Sequence, residues 1–176
     1  YTLYLGHRES RDLDFLGNHS GACDYVASRW VNDEVVATPI FEAFGQVTYE
    51  VFGIRVDFLE SPFLVDPPEE RDLEGERLLC DTLREIYARK IWLLTRRTAP
   101  QDIVDLAFIA ERLGPPDFAP VKIIGLDALS LALGHIRQQE EILMDGIRQL
   151  KIITPSPPED YLKKVYGLIE GWLKRG

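Results

Sequence analysis

Two short stretches in the first third of the chain alternate charged and apolar residues, which constrains them to β-strands. Residues 11–16 place Asp12 and Asp14 on one face and apolar side chains on the other. Residues 54–58 repeat the pattern, with Asp57 on the charged face. Side chains two residues apart on a strand point to the same side of a sheet, so this period of two is typical of strands that bury one face. Both strands are therefore predicted to present carboxylates on their polar faces.

The segments around these strands are also patterned. Residues 45–59 predict two strands, or one long bent strand, with Gly53 permitting a turn or bulge. Residues 24–34 predict a helix. Residues 61–70 contain three prolines, which predicts a linker.

From residue 66 onward the hydrophobic period changes to that of a helix. One stripe, at spacings of three and four, consists of Leu79, Leu83, Ile86, Lys90 and Leu93. Residues 98–113 open with a capping box and a proline in the first turn, which predicts a second helix. Residues 126–150 predict one or two further helices, interrupted near Gly134, and residues 159–174 predict a last amphipathic helix.

These patterns predict an α+β fold in two parts. A mixed sheet is expected over residues 1–65 and a helical region packed on it over residues 66–176. With 176 residues, 45% of them apolar, the chain is long enough for one domain or for a compact core with a helical appendage.

Composition limits the partners of this chain. The net charge is −9, and phosphate affinity comes mainly from clustered Lys and Arg, so an RNA partner would need a local basic patch. No apolar run approaches the length that crosses a bilayer, and Tyr1 begins inside structured-looking sequence, so we expect no signal peptide. Cys23 and Cys80 lack the spacing of metal ligands and predict free thiols. We expect a cytoplasmic protein without a membrane partner.

The carboxylates Asp12, Asp14 and Asp57 are candidate metal ligands. Magnesium prefers hard oxygen ligands, and two aspartates at i and i+2 on a strand are close enough to share a cation. An acid from a neighbouring strand would complete the set. Nucleotidyl transfer needs such a cation to neutralise the triphosphate and to stabilise the leaving pyrophosphate. For the Asp-x-Asp pair taken alone, a solvated strand face is the alternative.

Other polar residues occupy positions that suggest phosphate contact. A turn at residues 6–10, which contains Arg8 and Ser10, would offer backbone N–H groups to phosphates. Lys90 lies on an apolar helix stripe, where a charge is costly to bury without a partner. It either extends its ammonium group to solvent or contacts nucleotide phosphates. Asp102 suits the dipole of a helix first turn, whereas Asp105, one turn later, is explained less well by capping.

Four segments together resemble the motifs of the AbiEii/AbiGii toxin family of nucleotidyltransferases. Residues 6–15 (GHRESRDLDF) are similar to its first motif, and residues 55–58 (RVDF) to its second, strand-borne acid. Residues 88–90 (ARK) resemble its third motif, a lysine after a small residue, and residues 102–106 (DIVDL) resemble its fourth. Order and spacing agree over about residues 1–113, and four motifs in order are far more specific than any one of them.

The resemblance implies a polymerase-β-like fold, a nucleoside triphosphate substrate and two divalent metal ions, Mg²⁺ or Mn²⁺. It also implies a toxin of a toxin–antitoxin or phage-defence system, with an antitoxin protein as partner and an RNA, such as tRNA, or a protein as nucleotide acceptor. Metal ligands would be Asp12, Asp14 and Asp57. The residues expected to act in catalysis are Asp12, Asp14, Asp57, Lys90 and Asp105. Those expected to bind the nucleotide are Gly6, Arg8, Ser10, Lys90 and Asp102.

The sequence departs from the family pattern in two places. Gln101 replaces the basic residue usual before the fourth-motif aspartate, so a salt bridge or a phosphate contact is expected to be missing. A Gly-Gly-Thr or Gly-Ser element of the family would fall upstream of Tyr1, at the start of a helix that faces the triphosphate. The alternative is therefore a truncated or degenerate, catalytically impaired member that acts as a protein-binding module.

Overall fold

The computed structural model describes residues 6–9, 12–32, 37–73, 75–113 and 119–175. These residues form two compact units. We call residues 12–63 the sheet unit, and residues 6–9 together with 64–175 the helical unit.

The sheet unit contains a four-stranded mixed sheet and one helix. Along the chain these are β1 (Asp12–Gly17), α1 (Ala22–Asn32), β2 (Ala37–Ala43), β3 (Gln46–Val51) and β4 (Ile54–Glu60). The strand order is β1-β4-β3-β2, with β1 parallel to β4 and the other pairs antiparallel. The helix α1 packs on β3 and β4, so one face of the sheet is covered and the other is left for polar residues.

Strands β3 and β4 form a tight hairpin, which confirms the prediction of two strands in this region. Phe52 and Gly53 connect them, with φ angles of 51° and 77°. Two central residues with positive φ match a type I′ turn, whose twist suits that of the flanking strands. The turn sets the register, and Val47 and Tyr49 are thereby buried together with Cys23 of α1.

The helical unit combines a β-hairpin with a helical bundle. The hairpin pairs β5 (Glu69–Leu73) with β6 (Glu76–Cys80) in antiparallel fashion. The described residues after it form six helices: α2 (Leu83–Leu94), α3 (Pro100–Leu113), α4 (Ala119–Ile124), α5 (Leu126–Gln138), α6 (Glu140–Arg148) and α7 (Pro158–Leu173). None of the helices in the described part of the chain has the length and apolar run that a bilayer span requires.

Helix α3 lies at the centre of this bundle and contacts α2, α6 and α7. Its residues Ile103 and Val104 are completely buried, and Trp172 of α7 and Tyr87 of α2 are almost completely buried. The predicted α+β fold class, a mixed sheet followed by helices, is confirmed.

Several sequence predictions of local structure are wrong at their boundaries. Leu79 belongs to β6 and is 71% exposed, so it is not part of the helical stripe. Helix α2 begins at Leu83, because the side chain of Thr82 caps it by accepting a hydrogen bond from the Glu85 N–H at 3.0 Å. The predicted linker over residues 61–70 overlaps the start of β5.

The break between the two middle helices also differs from its predicted position. Gly134 lies inside α5, and the chain breaks at Gln139 instead. The N–H of Gln139 still donates to the last carbonyls of α5, and its own carbonyl accepts the first hydrogen bond of α6. Backbone hydrogen bonds thus continue on both sides of Gln139, and Gly134 does not mark the break.

The start of α2 is anchored by a buried carboxylate. Glu85 is completely buried and accepts hydrogen bonds from the backbone N–H groups of residues 64–66, the shortest to each being 2.9, 2.8 and 3.1 Å. It also lies 3.0 Å from the Nε of Arg89, one helical turn later. This arrangement holds the segment that enters the helical unit against α2.

The packing of α6 on α3 predicts an unusual response to alanine at Gly146. A Cβ at this position would lie 2.3 Å from Cγ of Pro100, a rigid ring. Glycine-to-alanine changes inside helices normally stabilise by about 0.5–1 kcal/mol, but overpacking costs about 1–3 kcal/mol. We expect Gly146→Ala to lower the free energy of unfolding, measured by urea denaturation. Gly167→Ala in α7, where a Cβ meets nothing within 4 Å, should raise it, and equal effects of both changes would contradict the packing.

Candidate functional site

The sheet unit brings three predicted site residues onto one face of two adjacent strands. In the parallel pair β1–β4, Asp14 is the Cα partner of Asp57, and Asp12 is the partner of Arg55. Paired residues on adjacent strands point to the same side, and so do residues two apart on one strand. Asp12, Asp14 and Asp57 therefore share a face with Arg55, and we call these four residues the acidic face.

The carboxylate of Asp57 is held by two neighbours. Asp57 is only 6% exposed and accepts a hydrogen bond from the hydroxyl of Thr48, its Cα partner on β3. Arg55 donates to both of its oxygens, with Nε 2.8 Å from Oδ2 and Nη2 3.0 Å from Oδ1. This two-point ion pair is the strong, planar form of arginine–carboxylate contact.

The guanidinium of Arg55 lies in the field of all three acids. Its pKa is raised above the ordinary value, chiefly by the hydrogen bond to Asp57; burial opposes this rise, and the negative charges of Asp57, Asp12 and Asp14 add to it. Asp12 and Asp14 are exposed. The acidic face thus combines three carboxylates with one cation.

The donor chemistry of the acidic face fits a hard divalent cation. Carboxylate oxygens are the ligands that Mg²⁺ prefers, and Asp14 and Asp57 lie at paired positions of neighbouring strands. Among the described residues, however, no group of three or more His, Cys, Asp or Glu side chains converges to hold a metal ion. Both oxygens of Asp57 instead accept hydrogen bonds from Arg55.

In the helical unit, Lys90 is buried between two carboxylates. It is 4% exposed, and its Nζ lies 2.5 Å from Oδ1 of Asp102 and 2.9 Å from Oδ2 of Asp105. Both aspartates are completely buried. The expectation that a lysine on an apolar stripe needs a partner is confirmed. The alternative, that Lys90 extends its ammonium group to solvent, is wrong.

Asp105 is also the acceptor for the first-motif segment. His7 Nε2 lies 2.7 Å from its Oδ1, and Arg8 donates through Nε at 2.7 Å and Nη2 at 3.0 Å. Burial alone would raise the pKa of Asp105, but hydrogen bonds from His7 and Arg8 and the charge of Lys90 bring it well below its usual range. Asp105 is therefore ionised, and we call these four residues with Asp102 the ionic cluster.

A cation reaches Asp102 from an unexpected position. Its Oδ2 forms no hydrogen bond with the described residues, but Arg97 Nη2 lies 3.6 Å away. Arg97 follows α2 in the chain, five residues before Asp102. The positive charge that Gln101 does not provide is thus partly supplied by Arg97.

The residues around Gly6 differ from the predicted turn. Within the described segment 6–9, Arg8 forms an antiparallel bridge with Ile152. The N–H of Glu9 donates to the carbonyl of Lys151 at 3.1 Å, and the His7 carbonyl accepts from Ile153 at 2.8 Å. The turn was predicted from local composition, whereas the pairing partner lies more than 140 residues later. Gly6 has a φ of 54°, and Ser10 lies outside the described residues.

The sequence did not predict Arg55, Thr48 or His7 as residues that hold the candidate site residues in place. Arg55 lies two residues before Asp57 on the same strand, so the period of two could have identified it as a partner. Thr48 becomes adjacent to Asp57 only through the register of β3 on β4. His7 shows no local signal, because its partner Asp105 is 98 residues away.

Comparison with known protein families identifies both the class of enzyme and the family. The model of a family described as nucleotidyl transferase AbiEii toxin, Type IV toxin–antitoxin system, matches residues 2–163. This match covers most of the chain, which is accordingly a nucleotidyltransferase. It belongs to the AbiEii toxin family, so the resemblance seen in the four motifs is confirmed.

Solved structures give two more distant matches, both from Helicobacter pylori. JHP933 is 16% identical with a TM-score of 0.43, and the match covers 96% of this chain and 77% of that one. A protein described as a candidate nucleotidyltransferase is 18% identical with a TM-score of 0.47, covering 99% and 84%. No curated protein matches the sequence.

Proposed function

We propose that this chain transfers a nucleotide from a nucleoside triphosphate to an RNA, such as tRNA, or to a protein, in a reaction that requires Mg²⁺ or Mn²⁺. The proposed role is that of the toxin in a toxin–antitoxin or phage-defence system, with an antitoxin protein as partner. The observation that supports it most is the pairing of Asp14 with Asp57 on parallel strands, with Asp12 on the same face.

In this proposal, the acidic face holds the divalent cation through Asp12, Asp14 and Asp57. A bound cation would neutralise charge on the triphosphate and lower the pKa of the attacking hydroxyl. Thr48 keeps the carboxylate of Asp57 on this face, because its hydroxyl is buried and donates to that carboxylate. The strands thus supply a rigid base for the ligands, which favours precise placement.

The assignments in the helical unit remain predictions. Lys90, Asp102 and Asp105 are proposed to act on the nucleotide, together with Gly6, Arg8 and Ser10. Lys90 and Arg8 already bind carboxylates, so a nucleotide phosphate would have to compete with Asp105 for both cations. Arg8 is 12% exposed at its side chain, which is more accessible than Lys90 at 5%.

The proposal is tested by changing one acid on each strand. We expect Asp14→Asn and Asp57→Asn each to reduce Mg²⁺-dependent incorporation of labelled nucleotide into RNA or protein by about a hundredfold or more, as loss of a key electrostatic group in an active site does. Asp24→Asn, on the exposed first turn of α1, is the matched control and should retain wild-type incorporation. Wild-type rates in both strand variants would refute the metal-dependent reaction.

The same proteins distinguish the enzyme from a protein-binding module. A ligand that binds the native state raises its melting temperature according to RT ln(1 + [L]/Kd). We expect Mg²⁺ with at least one of the four nucleoside triphosphates to raise the melting temperature of the wild type and not of Asp57→Asn. The absence of any shift would favour the binding module.

A further inference from the structure

Two adjacent arginines follow helix α2, and each is held by a different neighbour. The Cζ atom of Arg96 lies 3.9 Å from the centre of the Trp92 ring, a close cation–π contact one helical turn back along the chain. Nη2 of Arg97 lies 3.6 Å from Oδ2 of Asp102, which is beyond hydrogen-bond distance. Both arginines are exposed, the side chain of Arg97 to 59%. Each guanidinium therefore has a neighbour that orients it and remains accessible to a ligand.

The hydrogen-bond donors of these two arginines are largely unused. Among the residues that the structure describes, Arg96 has no hydrogen-bond or ion-pair partner for its side chain, and Arg97 has only Asp102. The N–H donors of a guanidinium lie in its plane, whereas stacking on an aromatic ring uses its flat face. With one face over Trp92, Arg96 thus offers its donors and its outer face to solvent.

The ordinary role of cations at this place explains only part of the arrangement. Positive side chains near the C-terminus of a helix are favoured by its dipole, and lysine would serve equally well. The stack on Trp92 uses the flat guanidinium of Arg96, which lysine lacks. Asp102 has Lys90 as its closer cation, at 2.5 Å, so Arg97 is not its principal partner.

We propose that Trp92, Arg96 and Arg97 form a contact surface for single-stranded RNA, in which an unpaired base stacks on the outer face of Arg96 and Arg97 binds a backbone phosphate. Single-stranded RNA is recognised by stacking of its bases on aromatic rings or guanidinium planes and by cations along its backbone. Because the net charge is −9, binding of RNA requires such a local site. This inference rests on the proposed function, because it takes the nucleotide acceptor to be RNA.

The test measures RNA binding in the absence of metal ion and nucleotide. Fluorescence anisotropy follows the full chain binding a labelled single-stranded RNA of about ten nucleotides, a length within the usual range of single-stranded sites. Arg96→Gln is expected to raise the Kd on the order of tenfold, because the contact with one stacked base is lost. Arg96→Lys should raise it nearly as much, since lysine keeps the charge but has no flat face. No RNA binding by the wild type at low salt, or a wild-type Kd in Arg96→Gln, would overturn the proposal.

The salt dependence of binding tests the role of Arg97. Arg97→Gln removes one phosphate contact, so the slope of log Kd against log salt concentration should fall by about 0.7, the value for one phosphate of a single strand. Arg96→Lys should keep the wild-type slope, because the positive charge remains. A wild-type slope in Arg97→Gln would mean that Arg97 binds no phosphate.

Arg112→Gln is the matched control. Arg112 is also exposed in the last turn of a helix, α3, and its replacement removes the same charge from the chain. Its Kd for RNA should stay near the wild-type value, and an increase equal to that of Arg96→Gln would overturn the proposal in favour of general electrostatics. An RNA duplex of the same length should bind more weakly than the single strand, because its bases are already paired. Equal binding of both would contradict the stacked base.

Nucleotide incorporation separates this inference from the proposed function. If Arg96→Gln binds RNA like the wild type while Asp57→Asn loses incorporation, the inference is wrong and the proposed function stands. If RNA binding depends on Arg96 while Asp14→Asn and Asp57→Asn incorporate nucleotide at wild-type rates, the proposed reaction fails and the contact surface stands. If Arg96→Gln and Arg97→Gln raise only the KM for the nucleoside triphosphate, the two arginines belong to the nucleotide site and the RNA contact is overturned.

Discussion

Lys90→Met is expected to lower the free energy of unfolding by about 3–5 kcal/mol, the usual cost of removing one partner from a buried ion pair. The change leaves Asp102 completely buried, with Arg97 Nη2 3.6 Å from its Oδ2. Asp105 is less affected, because Arg8 and His7 still donate to it. Urea denaturation followed by circular dichroism measures the loss.

A charge-balanced double variant provides the control. Lys90→Met with Asp102→Asn removes one charge of each sign and leaves the Arg8–Asp105 pair intact. The cost of breaking a buried ion pair comes mainly from the charge left without a partner, and the double variant leaves no such charge at Asp102, so most of the lost free energy should return. A double variant as unstable as Lys90→Met would contradict an electrostatic cause and indicate that the length and packing of the lysine side chain matter instead.

The double variant also tests whether the Lys90–Asp102 pair acts on the nucleotide. If the two residues only neutralise each other in the core, the recovered fold should incorporate nucleotide at a rate close to that of the wild type. If either residue contacts the nucleotide, the double variant should be stable, with a raised KM for the nucleoside triphosphate. The two roles therefore predict different activities for a double variant of the same stability.

Glu85→Ala is expected to cost about 3 kcal/mol of unfolding free energy. The change leaves the N–H groups of residues 64–66 without their acceptor and removes one of the two carboxylates that pair with Arg89, the other being Asp81 at 3.2 Å. Each buried donor that loses its hydrogen-bond partner costs about 1–3 kcal/mol. Because residues 64–66 are half-buried, water can bind some of these donors and reduces the total cost. Thermal and urea unfolding measure the change.

A second glutamate serves as the comparison for Glu85. Glu141 also lies in the first turn of a helix, α6, but is exposed. Glu141→Ala removes the same charge from a helix N-terminus and should change the free energy of unfolding by less than about 0.5 kcal/mol. Similar losses in both variants would mean that the helix dipole, and not the capture of three backbone donors, explains Glu85.

Much of the fold follows from local periodicity. The strand at residues 12–17, the hairpin turn at Gly53 and the helix at Pro100–Leu113 all formed where their patterns predicted them. The errors lie where a local pattern was ambiguous. Leu79 fits the helical spacing by coincidence, yet pairs with Glu70 across the hairpin of β5 and β6.

The sequence predicted which residues form the candidate site better than it predicted the contacts that these residues make. Asp12, Asp14 and Asp57 were identified as a set, but their engagement with Arg55 and Thr48 was not. Side-chain rotamers and strand register decide those contacts, and neither is encoded in spacing along the chain.

The polar faces of the two alternating strands were determined by the sequence itself, because a period of two is a property of the strand alone. The tertiary structure alone decided that Asp14 stands opposite Asp57, because the parallel register of β1 on β4 joins segments more than 40 residues apart. It also decided that Lys90 and Arg8 meet at Asp105. Burial of two carboxylates in a helical core is tolerable only when cations from distant parts of the chain reach them, and that requirement appears only after the chain has folded.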